Sequence, residues 1–174
     1  MEIDTRTTRF TLNGSERVVS VPVDETLLTT LRHEFALMSV RSTCNIGICG
    51  ACTVIVDDLP VSACLTLTAL CDGKQILTAE GLLDDQGNPD RVQSAFIEHS
   101  AFQCSYCTPA MVLTTRALLA DHPNPSDDEI REYLAGNLCR CGSYPHVLEA
   151  VRSLRSEAEA SVEPVVAKEA VHGG

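Results

Sequence analysis

The sequence predicts an α+β fold in two parts, a small sheet-and-helix unit followed by a four-helix bundle. Three observations lead there. Short apolar runs closed by turn residues recur between residues 6 and 78, as half-buried strands require. From residue 90 onward the apolar spacing changes to that of amphipathic helices. Between the two, residues 81–89 contain Asp84-Asp85, Gly87 and Asn88-Pro89, which is linker chemistry.

Residues 6–23 predict a hairpin. Phe10 and Leu12 precede Asn13-Gly14, a tight-turn pair, and Val19, Val21 and Val23 follow in alternation. Asp24 is the expected N-cap of a helix whose apolar face is Leu27, Leu28, Leu31 and Phe35. A Gly- and Cys-rich loop spans residues 41–52. Residues 53–56 form a strand, residues 57–60 a turn, residues 61–65 its returning partner, and residues 75–78 a last short strand. Helices are expected near residues 90–102, 108–120, 126–136 and 145–156. Pro109 suits a first helical turn, and Ser126 with Glu129 makes a capping box. Short helices on short loops suggest a four-helix bundle. The expected organisation is residues 1–80, a linker over 81–89, a helical domain over 90–156 and a frayed or partner-bound tail over 157–174.

Composition narrows the function. The formal net charge of −11 disfavours nucleic acid and anionic membrane surfaces. The first residues, Met1-Glu2-Ile3-Asp4, lack the basic and apolar regions of a secretory signal, and no apolar run is long enough to span a bilayer. A cytoplasmic location is the resulting expectation. Nine cysteines in that compartment point to metal or redox chemistry rather than disulfides.

Eight of these cysteines fall into two groups. Cys44, Cys49, Cys52 and Cys64 have the spacing C-x4-C-x2-C-x11-C, whose first three positions follow the plant-type [2Fe–2S] pattern. A bound cluster with four thiolates would be anionic and would need many donors around it. Gly47 and Gly50 would let the loop backbone curl and aim N–H groups at sulfur. A zinc site more often pairs C-x2–4-C units, although it is the competing reading.

The second group is Cys104 and Cys107, a C-x2-C unit, with Cys139 and Cys141, a C-x-C unit. Both units lie in predicted inter-helix loops. In a bundle the loops would face each other and gather four thiolates, with the positive ends of the helices starting near Pro109 and Pro145 aimed at them. Zinc or free thiols stay open on spacing alone. Cys71 is left over as a small buried residue. His33, His99, His122, His146 and His172 show no ligand spacing.

Three stretches carry a resemblance: Cys44-Asn45-Ile46-Gly47-Ile48-Cys49-Gly50-Ala51-Cys52-Thr53-Val54, Phe102-Gln103-Cys104-Ser105-Tyr106-Cys107-Thr108-Pro109, and Gly136-Asn137-Leu138-Cys139-Arg140-Cys141. In this order they resemble the molybdenum hydroxylases, the xanthine dehydrogenase, aldehyde oxidoreductase and carbon monoxide dehydrogenase family. At this length the chain is similar to that family's small iron–sulfur subunit. The resemblance implies a plant-type ferredoxin-like (β-grasp) N-terminal domain before the four-helix domain. It implies one [2Fe–2S] cluster on Cys44, Cys49, Cys52 and Cys64, and a second on Cys104, Cys107, Cys139 and Cys141. It implies a large subunit with a molybdopterin (molybdenum) cofactor and a medium subunit with FAD, assembled as a dimer of heterotrimers.

By the same likeness, electrons run from molybdenum through the helical-domain cluster and then the N-terminal cluster to FAD. Gln103 would contact the pterin, with Cys141 against it. The chain departs from the common family pattern at Asn45, Ser105 and Ala110, where Gly is usual, and at Tyr106, where Phe is usual. Gly142-Ser143-Tyr144-Pro145 is similar to the bacterial aldehyde and isoquinoline oxidoreductase branch. A stand-alone two-cluster ferredoxin and a zinc-stabilised interaction module are the alternatives.

Overall fold

The computed structural model describes residues 4–155; the predicted tail over 157–174 lies outside them. The hairpin forms as predicted. Strands β1 (Thr5–Leu12) and β2 (Ser15–Pro22) pair antiparallel, and Asn13 (φ 49°) and Gly14 (φ 76°) fill the two left-handed positions of the turn. Helix α1 (Leu27–His33) follows, with Leu27, Leu28 and Leu31 buried. Its N-cap is Thr26, not Asp24. The Glu25 N–H still donates to the Pro22 carbonyl, so the chain is in a turn at Asp24, and it is Thr26, two residues on, whose Oγ1 accepts the Thr29 N–H.

The other strands are β3 (Thr53–Val56), β4 (Leu59–Ser62) and β5 (Gln75–Leu77). They complete a five-stranded mixed sheet in the order β2-β1-β5-β3-β4. β4 begins earlier than the predicted 61–65. Asp57 and Asp58 both adopt positive φ (47° and 70°), so two residues suffice for the turn and Leu59 and Pro60 already pair with β3. Pro60 is tolerated because β4 is an edge strand. Cys64 therefore lies just past a strand rather than within one.

β3 is buried along its whole length because both faces are covered. Val54 and Val56 join Phe10, Leu12, Leu31 and Ile76 in the core under α1. Ile55, on the opposite face, belongs to the second core with Phe96, Met111, Leu118, Ile130 and Val151. Those residues come from α2 (Arg91–Glu98), α3 (Thr108–Asp121), α4 (Asp127–Leu134) and α5 (Tyr144–Ser153). The four helices close a ring in which α2 meets α3 and α5, and α4 meets α3 and α5. Helix α3 also lies against β3 and β4. It is apolar nearly all round for that reason. The Ser126–Glu129 capping box opens α4, and a second box, Asp90 with Gln93, opens α2. Asp127 holds α4 to α5 through Arg152 and Arg155. Among the described residues no helix is long and apolar enough to cross a membrane.

Glu80 ties the loop after α1 to the end of the sheet. It accepts from the Ser39 N–H (2.8 Å), the Ser39 hydroxyl and the Thr78 hydroxyl (2.7 Å). Burial pushes its carboxyl up, but the bonds from Ser39 and Thr78 outweigh this and hold it below its ordinary value of 4.5. A depressed folded-state value stabilises above the unfolded value and ceases to as pH falls through the folded one. The urea midpoint of the wild-type chain is therefore expected to exceed that of Glu80→Gln at pH 7, with the gap narrowing below pH 4.5. Both chains are compared at the same pH, so acid effects common to both cancel. A gap that stays constant on acidification would refute this role.

Candidate metal centres

The first cysteine group surrounds a loop of left-handed turns. Asn45 (φ 55°), Gly47 (φ 75°) and Gly50 (φ 66°) reverse the chain three times between Cys44 and Cys52. Asn is one of the few residues other than Gly to visit this region readily, so the departure from Gly at Asn45 leaves the loop conformation intact. Cys44 and Cys49 meet side chain to side chain, as do Cys52 and Cys64. N–H groups of Ile46 and Cys49, followed by the Cys49 thiol, lower the Cys44 thiol to about 6. Burial pushes the Cys52 thiol up to about 11.

The second group is drawn together from the two ends of the bundle's loops. Cys107 is the N-cap of α3, with Pro109 in the first turn. Cys104 meets Cys141, and Cys107 meets Cys139. Ser143, the N-cap of α5, points its N–H at Cys139 Sγ at 3.4 Å. Burial opposes ionisation of Cys139, but hydrogen bonds from Ser143, the Cys107 thiol and the Cys141 backbone together prevail and lower the thiol to about 7. The Tyr106 N–H and then the Cys141 thiol lower Cys104, whereas burial pushes Cys107 up to about 12. Gln103 lies at the exposed edge, its Nε2 donating to the Cys141 carbonyl at 3.3 Å.

The donor set fits an iron–sulfur group. In both places the thiols close up two by two, and a cavity of about 410 Å³ opens among Cys49, Cys104, Cys107 and Cys139. Among the described residues no three His, Cys, Asp or Glu side chains converge on a single metal-ion position. Paired thiols suit a two-iron cluster, where each iron takes two cysteines, better than one tetrahedral ion. Cys71 stands apart, buried with its thiol on the Leu67 carbonyl and raised by burial to about 11.

The two centres are joined directly. The Leu138 N–H donates to the Cys49 carbonyl at 3.0 Å. Asn137, 3% exposed, donates through Nδ2 to the Gly50 carbonyl at 3.0 Å. A Cβ on Gly50 would collide with the Gly136 carbonyl, so this glycine admits the second loop as well as bending the first. Gly47 faces the Leu65 side chain, whose flexible end a Cβ there would push aside. Tyr106 reaches across to the Ser42 carbonyl at 2.7 Å and lies under the Arg41 guanidinium. Asn137, Tyr144 and Tyr106 bridge or brace the centres, yet spacing gave no reason to single them out. The available signal was their place in or beside the stretches that carry the resemblance: Tyr106 within 102–109, Asn137 within 136–141 and Tyr144 just after it.

Known proteins share this arrangement. Residues 10–78 match the 2Fe-2S iron-sulfur cluster binding domain family, and residues 78–152 match the [2Fe-2S] binding domain family. The nicotinate dehydrogenase small FeS subunit of Eubacterium barkeri is 44% identical over 146 residues, which cover 84% of this chain and 92% of that one. The chain belongs to the small iron–sulfur subunits of the molybdenum hydroxylases. This subunit superimposes on quinoline 2-oxidoreductase from Pseudomonas putida 86 with a TM-score of 0.85 at 36% identity, covering 89% of this chain and 96% of that one. It also superimposes on the aldehyde oxidoreductase from Desulfovibrio desulfuricans ATCC 27774, with a TM-score of 0.83 at 32% identity. There the match covers 88% of this chain but 17% of the other, a segment of a much longer polypeptide. The subunit thus has two [2Fe–2S]-binding domains and is an oxidoreductase component that works with larger partner subunits.

Proposed function

We propose that Cys44, Cys49, Cys52 and Cys64 hold one [2Fe–2S] cluster and Cys104, Cys107, Cys139 and Cys141 the other. The two-by-two closure of the thiols in each domain is the observation that carries this reading. Each bound cluster takes up and returns one electron, so that the subunit relays electrons from molybdopterin on a large subunit, through the helical-domain cluster and then the N-terminal one, to FAD on a medium subunit of a cytoplasmic dimer of heterotrimers. In this reading residues 1–80 and 90–156 are the working domains, joined by 81–89. The chain's own residues supply ligands, aim N–H groups and exclude water.

The surface supports partners at both centres. Ile46, Ile48 and Leu65 are more than 60% exposed around the first cysteine loop. Phe102, Tyr106 and Leu138 are exposed around the second. Uncovered apolar rims over two metal sites suit docking surfaces, whereas a freely diffusing carrier gains nothing from them. Gln103 and Cys141 share the exposed edge of the second centre, where a pterin from the large subunit would meet them.

Anaerobically prepared protein is expected to hold about four irons per chain and to show two distinct paramagnetic resonances after dithionite. It is expected to co-purify with molybdenum- and flavin-containing subunits. In that complex, Gln103→Ala is expected to slow reduction of the clusters by substrate more than their reduction by dithionite. Iron near zero with bound zinc would overturn the cluster reading. Equal effects of Gln103→Ala on both reductants would overturn the pterin-facing role alone.

A further inference from the structure

We propose that Asn137 is a positioning residue that holds the two cysteine loops in register, so that the Leu138 N–H···O=C Cys49 hydrogen bond is the main route for an electron crossing between the two centres. The inference rests on the ligand sets proposed above and adds what they do not specify, the path between them.

The covalent path is short. From Cys49 Sγ it runs through Cβ and Cα to that residue's own carbonyl, which accepts the Leu138 N–H at 3.0 Å. One residue further along the chain is Cys139. A single hydrogen bond is therefore the only gap in a bonded path from a cysteine of one quartet to a cysteine of the other. Electron tunnelling weakens far more per ångström of empty space than per covalent bond, so the length of that gap governs the coupling. The crossing moves one electron from the reduced centre to the oxidised one. No bond is made or broken and no proton has to travel.

Packing of α3 on the sheet and the Tyr106–Ser42 bond hold the domains together at a distance from this gap. The side chain that crosses between the domains right beside the gap is that of Asn137. Its backbone N–H bonds to the Leu134 carbonyl at 2.9 Å, which anchors it to the end of α4. Its carboxamide crosses to the other domain, donating to the Gly50 carbonyl at 3.0 Å and lying 3.4 Å from Thr53 Oγ1. The Gly50 carbonyl is itself fixed by the Thr53 hydroxyl at 2.7 Å. Asn137 thus sits next to the donor residue of the link and grips the residue next to the acceptor. A buried carboxamide contributes its hydrogen bonds without competition from water; their loss leaves the Gly50 carbonyl to Thr53 within its own domain and removes the grip across to the other.

Tyr144 holds the same turn from its far side. Its hydroxyl accepts the Cys139 N–H at 2.7 Å and donates to the Asn137 carbonyl at 3.3 Å. The turn before Cys139 is therefore clamped between the sheet domain and α5.

The test uses the full chain with both clusters bound. Iron and sulfide content and the two reduced-state resonances are recorded first. Electron equilibration between the centres is then followed by flash reduction and rapid-freeze paramagnetic resonance. Asn137→Ala is expected to keep both clusters and the g-values of each, and to slow equilibration severalfold. If Asn137→Ala does not hold both clusters, Tyr144→Phe is measured instead, since it loosens the same turn without touching the sheet domain. An unchanged rate in a fully loaded variant overturns the proposal. A merely structural role would lower the melting temperature and leave the rate of the loaded protein where it was. Failure of the wild-type chain to show two resonances would instead refute the ligand assignment, a result that cannot be mistaken for the first.

Discussion

Cys104→Ser is expected to abolish one of the two reduced-cluster resonances and leave the other at full intensity, and Cys49→Ser is expected to do the reverse. Iron content should fall from about four to about two per chain in each case. The reason is that the two quartets are supported by different cores. Cys52 and Cys64 are part of the core under α1, whereas Cys107 and Cys139 pack against the helical one. A serine hydroxyl does not ionise at neutral pH and makes a poor substitute for thiolate. The link between domains survives both changes, because it uses the Cys49 carbonyl and not its side chain. Cys71→Ala is the control. Cys71 shares a core with Cys52 and Cys64, but its thiol bonds the Leu67 carbonyl rather than any of the eight and burial raises it to about 11, so neither signal should change. Loss of both resonances in either serine variant, with the fold intact by circular dichroism, would show that the eight thiols do not sort into two independent sets.

Much of the architecture was legible because it is local. Asn13-Gly14 dictates its own turn, Ser126 and Glu129 dictate their own cap, and the helical spacing after residue 90 persists long enough to be unambiguous. What escaped was set by contacts between distant segments. The continuous apolar run over residues 53–56 reads as a strand, but only the arrival of α3 shows why Ile55 faces a second core. Asp57-Asp58 is a weaker turn signal than Asn-Gly, so β4 was displaced by two residues. Asp24 has the chemistry of an N-cap as much as Thr26 does, and the Glu25–Pro22 turn decided between them.

The candidate site divides in the same way. Cysteine spacing conveys which thiols belong together, because ligand geometry restricts how far apart along a loop they can be. It conveys nothing about Asn137, whose partner Gly50 is 87 residues away. The residues around Gly50 assign it to the cluster loop, which is half of its role. Its missing side chain also makes room for the Gly136 carbonyl.

That second role makes Gly50→Ala a severe substitution for so small a change. Gly50 has φ 66°, where an L side chain costs about 1–2 kcal/mol. The new Cβ would also overlap the Gly136 carbonyl oxygen and stand 2.8 Å from Asn137 Nδ2. Overpacking of this kind costs roughly 1–3 kcal/mol more. Backbone cannot rotate aside as a side chain can, so the relief available is for the Gly136 turn to move off the sheet domain. A combined loss of about 2–5 kcal/mol is expected, a drop in melting temperature of roughly 4–20 °C for a domain pair of this size. Gly14→Ala and Gly73→Ala provide the comparison. Both glycines have positive φ (76° and 72°) but face open space, so they should show the backbone cost alone. If Gly50→Ala costs no more than these two, the loops do not approach as closely as the Gly50–Gly136 contact requires. If it costs the larger amount, adding Asn137→Ala on top should cost less than it does in the wild-type chain, since the carboxamide would already have been drawn away from the Gly50 carbonyl.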